Sequence, residues 1–453
     1  MILIPSSIDS ILKTLFSHHI HPIIVGGYVR DRLLNIESKD IDIELYGSAN
    51  IDTLEKLLLP YGKINLVGKS FGVIKLSYND FEIDFTLPRK ESKSGSGHKG
   101  FDITLEQDLD FAAAALRRDF TINAIGYDPI NKIILDPYNG QDHIKQKILT
   151  HVNDETFTED PLRILRAIQF ASRFELTCSD ALVNLCQNMV KGGSIYELPK
   201  ERIFEEFKKL LLSKKPSIGL SYLKVFGLLP FFAPLEKFES VSLNPISHPN
   251  ASLWTHTLLS LDVLAKRSPY QGKHHLQLMF AVLLHDIGKT SDTIDSIDHG
   301  IKGVPLALTW MQKITDDTKL TEAVLPLIEF HSAVKKLFEK NASDSEILHF
   351  STQVRIRDLY WVVLADGLGR THSLPEDSYQ AAEWLYEKSK KLGVLDSSPK
   401  PLLYGKDLIK LGVSPSPSFS KWLKAAYYAQ LEQQFNTHED ALLWLQRYLV
   451  TVL

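Results

Sequence analysis

With 453 residues, 44% of them hydrophobic and 23% charged, the chain has room for about three domains and is ruled out as a disordered polymer. A net charge of −4 excludes a uniformly basic coat, so any nucleic-acid footprint must be local. No run reaches the ~18 apolar residues of a membrane helix, the first twenty residues lack a basic n-region and cleavage site, and Cys178 and Cys186 cannot build a disulfide framework. A cytoplasmic protein with no membrane partner is expected.

Short runs rich in Ile, Val, Phe and Tyr predict strands at 22–27 (PIIVGG), 39–47 (KDIDIELYG), 72–78 (GVIKLSY), 80–87 (DFEIDFTL) and 131–136 (NKIILD). Gly26 and Gly27 follow the first strand and precede a predicted helix, a turn that brings backbone N–H groups close to an anion, with Arg30 near enough to pair with phosphate. On the second strand Asp40 and Asp42 share a face, as do Glu82 and Asp84 on the fourth. Paired carboxylates repel unless a cation lies between them, and oxygen ligands of this kind suit Mg²⁺ shared with substrate phosphates. The stretch RKESKSGSGHKG at 89–100 reads as a flexible basic loop.

Beyond residue 150 apolar residues recur with helical spacing. The expected fold class is α+β, a mixed α/β head on an all-α body. Candidate joints are Gly192-Gly193, 213–218, Asn244–Ser252 and Asp396–Pro401. The helix after Glu159-Asp160-Pro161 carries Arg163, Arg166 and Arg173 along one arc with Asp160 beside it. Leu165 and Ile168 face the other way, and Phe170 lies on the polar side. Acid and arginine one turn apart present acceptor and donor together, which suits the Watson–Crick edge of a base.

Taken in order, the Gly-Gly turn, Asp-x-Asp, Arg117-Arg118-Asp119-Phe120-Thr121-Ile122-Asn123 and Glu159-Asp160-Pro161-Leu162-Arg163-Ile164-Leu165-Arg166 resemble the motifs of the bacterial tRNA nucleotidyltransferase and poly(A) polymerase family. The resemblance implies that Gly26, Gly27 and Arg30 hold a nucleoside triphosphate, that Asp40 and Asp42 bind Mg²⁺, and that Asp84 activates a 3′-hydroxyl. It also implies that Arg118 and Asp119 contact the nucleotide, that Asp160 and Arg163 read the base, and that Arg166 lies near it. Gln169 stands where many relatives carry a further arginine.

In the second half, His256, then His285-Asp286, then Asp366 resemble the HD superfamily of metal-dependent phosphohydrolases. That resemblance makes the four residues metal ligands, with His299 and His331 completing a second position or binding phosphate. Nitrogen and carboxylate donors suit a transition metal such as Ni²⁺ or Mn²⁺. The implied division is a catalytic head at 1–150, a nucleotide-selecting neck at 151–230, an HD-type body at 231–375 and a helical tail at 376–453. The leading expectation is C-C-A addition to the tRNA 3′ end from CTP and ATP, with no organic cofactor and no protein partner evident. A poly(A) polymerase, a CC- or A-adding enzyme, and a nucleotide-sensing regulator are the alternatives.

Overall fold

The computed structural model describes residues 2–47, 50–65, 72–93, 101–105, 109–242, 252–289, 298–370 and 377–452. The chain divides into two compact units, one formed by Met1–Leu210 and Ile218–Leu228, the other by Leu211–Ser217 and Leu229–Leu453.

The first unit is built on a sheet of seven strands in the order β3-β4-β5-β2-β1-β8-β9, comprising β1 (Ile20–Val25), β2 (Asp40–Gly47), β3 (Lys63–Asn65), β4 (Val73–Tyr78), β5 (Phe81–Thr86), β8 (Gly126–Asp128) and β9 (Ile133–Leu135). Only β2 and β5 run parallel; every other neighbouring pair in this sheet is antiparallel. Helix α1 (Ser6–Ser17) buries Ile8, Ile11, Leu12 and Leu15 and packs on β1, while α2 (Gly27–Leu33) and α3 (Ile51–Leu58) pack against β2 and β4.

The expected basic loop is corrected in part. Residues 89–93 (β6) and 101–105 (β7) pair as an antiparallel ribbon, and 94–100 lie outside the described residues. Backbone hydrogen bonding suffices to hold such a ribbon, so the polar composition that suggests a loop does not forbid strands.

Helices take over after β9. They are α4 (Phe111–Ala115, before β8), α5 (Gly140–Gln146), α6 (Asp154–Thr158), α7 (Leu162–Phe174), α8 (Asp180–Lys191), α9 (Lys200–Leu211) and α10 (Pro216–Val225). Helix α7 starts where Asp160 Oδ1 accepts the Leu162 N–H at 3.0 Å, and it ends at Glu175, whose φ of 53° is left-handed. Gly192-Gly193 lies inside this unit, whereas 213–218 falls where the chain passes from one unit to the other.

The second unit is helical: α11 (Leu253–Arg267), α12 (Gly272–Leu284), α13 (His299–Ile314), α14 (Thr318–Phe330), α15 (Ala333–Glu339), α16 (Asp344–Phe350), α17 (Ile356–Leu368), α18 (Asp377–Lys391), α19 (Gly405–Lys410), α20 (Ser418–Leu431) and α21 (His438–Val452). Its centre is α12, buried continuously from Leu278 to Leu284 because the helix is apolar all round, with α11, α14 and α17 packed against it. Near the C-terminus α19–α21 bury Leu408, Trp422 and Leu445 in a cluster of their own.

Candidate functional site

Alternation along β2 puts Asp40, Asp42 and Glu44 on one face and the buried Ile41, Ile43 and Leu45 on the other. The parallel register then sets Asp40 beside Glu82 and Asp42 beside Asp84, on strands about 4.8 Å apart. Lys75 of β4 meets Asp84 at 2.5 Å, and Ser77 donates to Glu82 at 3.0 Å. Crowding by the surrounding protein pushes the Asp42 carboxyl above its ordinary range, Asp84 and Asp40 add to the push, and Arg118 opposes it. An acid disfavoured as an anion by two acid neighbours fits a divalent cation.

Glu44 is wholly buried, and sequence reasoning missed it although the alternation of Asp40 and Asp42 continues through it. It receives Arg117 at 3.1 Å and the Tyr46 hydroxyl at 3.0 Å, with Arg118 at 3.5 Å. Burial alone would raise its carboxyl, but Arg118 and Arg117 outweigh that and hold it below the usual range. Arg118 is thereby aimed past Gly26, whose φ is +68° and where a Cβ would sit 2.9 Å from the Arg118 Nη1. Only glycine tolerates both conditions.

Arg30 is more deeply engaged than expected. Its Nε and Nη2 donate to Asp31 at 2.8 and 2.6 Å, its Nη1 donates to Asn123 at 2.5 Å, and its guanidinium lies 4.5 Å from the Phe174 ring centroid. Burial lowers its pKa while Asp31 works the other way.

A cavity of about 480 Å³ opens here, and its lining includes Gly26, Gly27, Arg30, Asp42 and Arg118. Asp160, Arg163 and Arg166 from the α7 region line the same space. Arg163 is half-buried and donates to the Thr156 carbonyl at 2.6 Å and the Arg117 carbonyl at 2.7 Å. Arg166 donates through Nε to Asp119 at 2.7 Å, and Asp119 also accepts from the Phe120 N–H and the Asn123 amide. These partners, Arg166 first, hold the Asp119 carboxyl below its ordinary range against its burial. Asp119 therefore organises the wall, fixing Arg166 and Asn123. Phe170 packs between Arg30 and Arg166, with their guanidinium carbons 5.2 and 5.3 Å from its centroid. Arg173 lies instead over Phe174. Gln169 is buried, and its amide nitrogen makes no hydrogen bond among the described residues. Arg202 of α9, which sequence reasoning also missed, reaches the cavity and pairs with Asp160. No local motif marks it.

The second unit gathers the other predicted set. His256 lies on α11, His285-Asp286 follow α12, His299 begins α13, His331 follows α14 and Asp366 lies on α17. His256, His285 and Asp366 offer ligand atoms within 4.8 Å of one another, and so do Asp286, His299 and His331. His256 Nε2 is 3.0 Å from Asp366, His285 Nε2 is 3.1 Å from Asp286, and His299 Nε2 is 3.2 Å from Asp286. The His285 and His331 Nδ1 atoms each lie 2.7 Å from a backbone carbonyl, of Val282 and Ile328. A carbonyl only accepts, so Nδ1 carries a proton, and in the neutral ring Nε2 keeps the lone pair that a metal would take in place of a second proton.

Burial lowers the proton affinity of His256 and His331. Burial also opposes charge on His285, but Asp286 and Asp366 outweigh it and raise that ring to about 10. The carboxylates thus call for positive charge among them. Among the described residues, His285 Nε2 and Asp286 Oδ1 are buried without a partner of hydrogen-bonding geometry, as expected of ligands. The donor set fits a transition metal. Lys289 pairs with Asp286 at 2.7 Å, and Arg370 lies 3.9 Å from Asp366. Among the described residues, no helix is long and apolar enough to cross a membrane.

Two family models match: the poly A polymerase head domain over residues 23–150, and the probable RNA and SrmB-binding site of polymerase A over residues 183–236. A multifunctional CCA protein of Pseudoalteromonas atlantica is 32% identical over 384 residues, covering 80% of this chain and 89% of its own. Another, from Aliivibrio salmonicida, is 34% identical and covers 70% of this chain and 77% of its own. Among solved structures, the Bacillus stearothermophilus CCA-adding enzyme in complex with CTP superposes with a TM-score of 0.66 at 19% identity, covering 99% of both chains. The Thermotoga maritima CCA-adding enzyme complexed with tRNA gives a TM-score of 0.64 at 18% identity, covering 99% of this chain and 97% of that one. These likenesses establish the fold.

Proposed function

The chain belongs to the tRNA nucleotidyltransferase family that includes the multifunctional CCA proteins, and from that premise we propose that it adds C-C-A to the 3′ end of tRNA from CTP and ATP. The observation that carries the proposal is the ladder pairing of Asp42 with Asp84 beside a cavity whose lining also includes Asp160 and Arg163. Asp40 and Asp42 are the residues that would hold Mg²⁺ with the triphosphate. Bound there, two such ions supply the positive charge that steadies the attacking and leaving oxygens of an in-line displacement.

The remaining work falls to side chains. Asp84 accepts the proton of the terminal 3′-hydroxyl. The 3′-oxygen bonds to the α-phosphorus as the bond from that phosphorus to the bridging oxygen breaks, and pyrophosphate leaves. Gly26 and Gly27 give the triphosphate close backbone approach, and Arg118, aimed by Glu44, offsets its charge. Arg30, locked by Asp31 and Asn123, contributes positive potential from within the cavity lining. Asp160 accepts from the amino group of cytosine or adenine while Arg163 donates to ring acceptors.

In this reading the head (1–150), neck (151–230), HD-type body (231–375) and tail (376–453) are its working parts, and the enzyme acts in the cytoplasm without a membrane or organic cofactor.

A second activity is favoured by the buried histidine–aspartate centre. His256, His285, Asp286 and Asp366 would hold Ni²⁺ or Mn²⁺, with His299 and His331 on a second position. A metal there would supply the charge that lets a water give up a proton and so become a nucleophile toward a phosphoester.

Purified protein given tRNA lacking its last three nucleotides and one labelled triphosphate at a time decides the first activity. Two additions from CTP followed by one from ATP are expected. Long A tails would identify a poly(A) polymerase, C or A alone a partial enzyme, and no extension with retained nucleotide binding a sensor.

A further inference from the structure

The two readers of the base are held in unlike ways. Arg163 is tied by two backbone carbonyls, those of Thr156 and Arg117, so its plane follows the main chain. Asp160 is tied by its own turn, through the Leu162 N–H on Oδ1 at 3.0 Å, and otherwise by a side chain from another helix. That side chain is Arg202, whose Nη2 donates to Oδ2 at 2.9 Å and whose Nη1 lies 3.4 Å from Oδ1. Both residues line the cavity and keep roughly a quarter of their side-chain surface, 22% for Asp160 and 28% for Arg202.

An ionised carboxylate offers two acceptor sites on each oxygen. The Leu162 N–H and Arg202 fill Oδ1, and Arg202 takes one site on Oδ2, leaving one acceptor site for a ligand. That site matters for chemistry at a single position of the base. Cytosine and adenine place a donating amino group where uracil and guanine place an accepting carbonyl. A carboxylate oxygen fixed in angle welcomes the first pair and repels the second. One free to rotate can retreat from the carbonyl and loses the distinction. The neighbouring arginines do not substitute for this grip, since Arg166 is bonded to Asp119 and Arg117 to Glu44.

We infer that Arg202 is a positioning residue for base selection, forking onto Asp160 so that a single acceptor site of fixed direction faces the incoming base. The inference rests on the reading of Asp160 and Arg163 as the base-reading pair.

The test uses the full-length enzyme with tRNA ending before the first C and tRNA ending before the A. The kcat and KM are measured for each of the four triphosphates in the parent, Arg202→Met, Arg202→Lys and Asp160→Asn. Loss of a bidentate grip should cut the preference for CTP over UTP, and for ATP over GTP, by about tenfold to a hundredfold in Arg202→Met. Lysine keeps the charge but only one contact, so its preference should fall between the two. A uniform slowing with all four triphosphates and unchanged ratios would mark Arg202 as merely structural and overturn the inference. If Asp160→Asn also leaves the ratios unchanged, the base-reading assignment of Asp160 itself fails. If Arg202→Met does not fold, Arg202→Lys carries the test alone, and ratios equal to the parent's overturn the inference.

Discussion

The chain holds two sets of residues suited to cations, built on opposite plans. In the first unit the carboxylates stand on adjacent strands, Asp40 and Asp42 exposed on β2 and Asp84 half-buried on β5, and sheet register alone brings them together. In the second, six residues on or directly after five helices converge where His256, His285 and Asp286 are almost wholly buried. A site carried on a sheet face can lose a ligand and leave the sheet intact. A buried centre that joins helices cannot, because its charges have no water to fall back on. The open plan suits a large substrate that brings its own phosphates, and the closed plan suits a resident metal.

The sharpest way to break the comparison is Asp42→Asn. Nucleotide addition should fall by about 10²–10³-fold or more, while the thermal midpoint stays the same or rises, since a crowded acid next to Asp84 is removed. A large loss of stability would show that the open site is as structural as the closed one.

Next in size is the double change His285→Ala with Asp286→Ala. Hydrolysis of a 2′,3′-cyclic nucleotide with Ni²⁺ or Mn²⁺ should vanish, and addition to tRNA should survive at temperatures where the variant is folded. A metal at a hundred times its Kd should stabilise the parent by about 2.7 kcal/mol and the variant not at all. Thermal melts with and without metal measure this directly.

Glu44→Gln sharpens the contrast inside the first unit, where one acid of the same strand face is buried. Leaving Arg117 and Arg118 with a weaker partner should cost about 1–3 kcal/mol. Because the folded Glu44 titrates below its ordinary value, its stabilisation is complete above the unfolded value of about 4.3 and fades as pH falls through the folded value. The gap in melting temperature between parent and variant should therefore narrow below about pH 4.3, whereas a gap constant with pH would contradict the ion-pair account.

The smallest effect belongs to Lys75→Met. Its pair with Asp84 is half in water, so stability should shift by less than about 1 kcal/mol. Asp84 would then meet the 3′-hydroxyl without a competing cation, and the KM for tRNA is the quantity to compare.

What could be read in advance follows the range of each interaction. The Asp40–Asp42 and Glu82–Asp84 faces were legible because alternation along a strand is local. Their pairing was not, since nothing in either segment says that β5 lies parallel to β2. Glu44 went unread because a carboxylate on a strand's polar face is ordinarily wet, and its burial depends on Arg117 and Arg118 coming from a distant turn. Arg202 was invisible for the same reason, reaching Asp160 across 42 residues from a separate helix. The ribbon of β6 and β7 was masked by polar composition, which describes side chains, whereas the ribbon is a backbone structure. The histidine–aspartate set was legible through its resemblance to a known pattern, and no local period would have assembled it.

One further consequence lies in the hairpin between β4 and β5. Tyr78 pairs with Phe81 across a connection of only Asn79 and Asp80, with Asn79 at a φ of 53°. Strand side chains alternate, so chain length here counts in twos. One added or missing residue would shift the phase of β5, turning Ile83 and Phe85 toward Asp42 and Asp84 into the apolar layer. This short turn therefore acts as the indexing stop of the candidate site. Natural or engineered changes of length will be tolerated far from it long before they are tolerated within it.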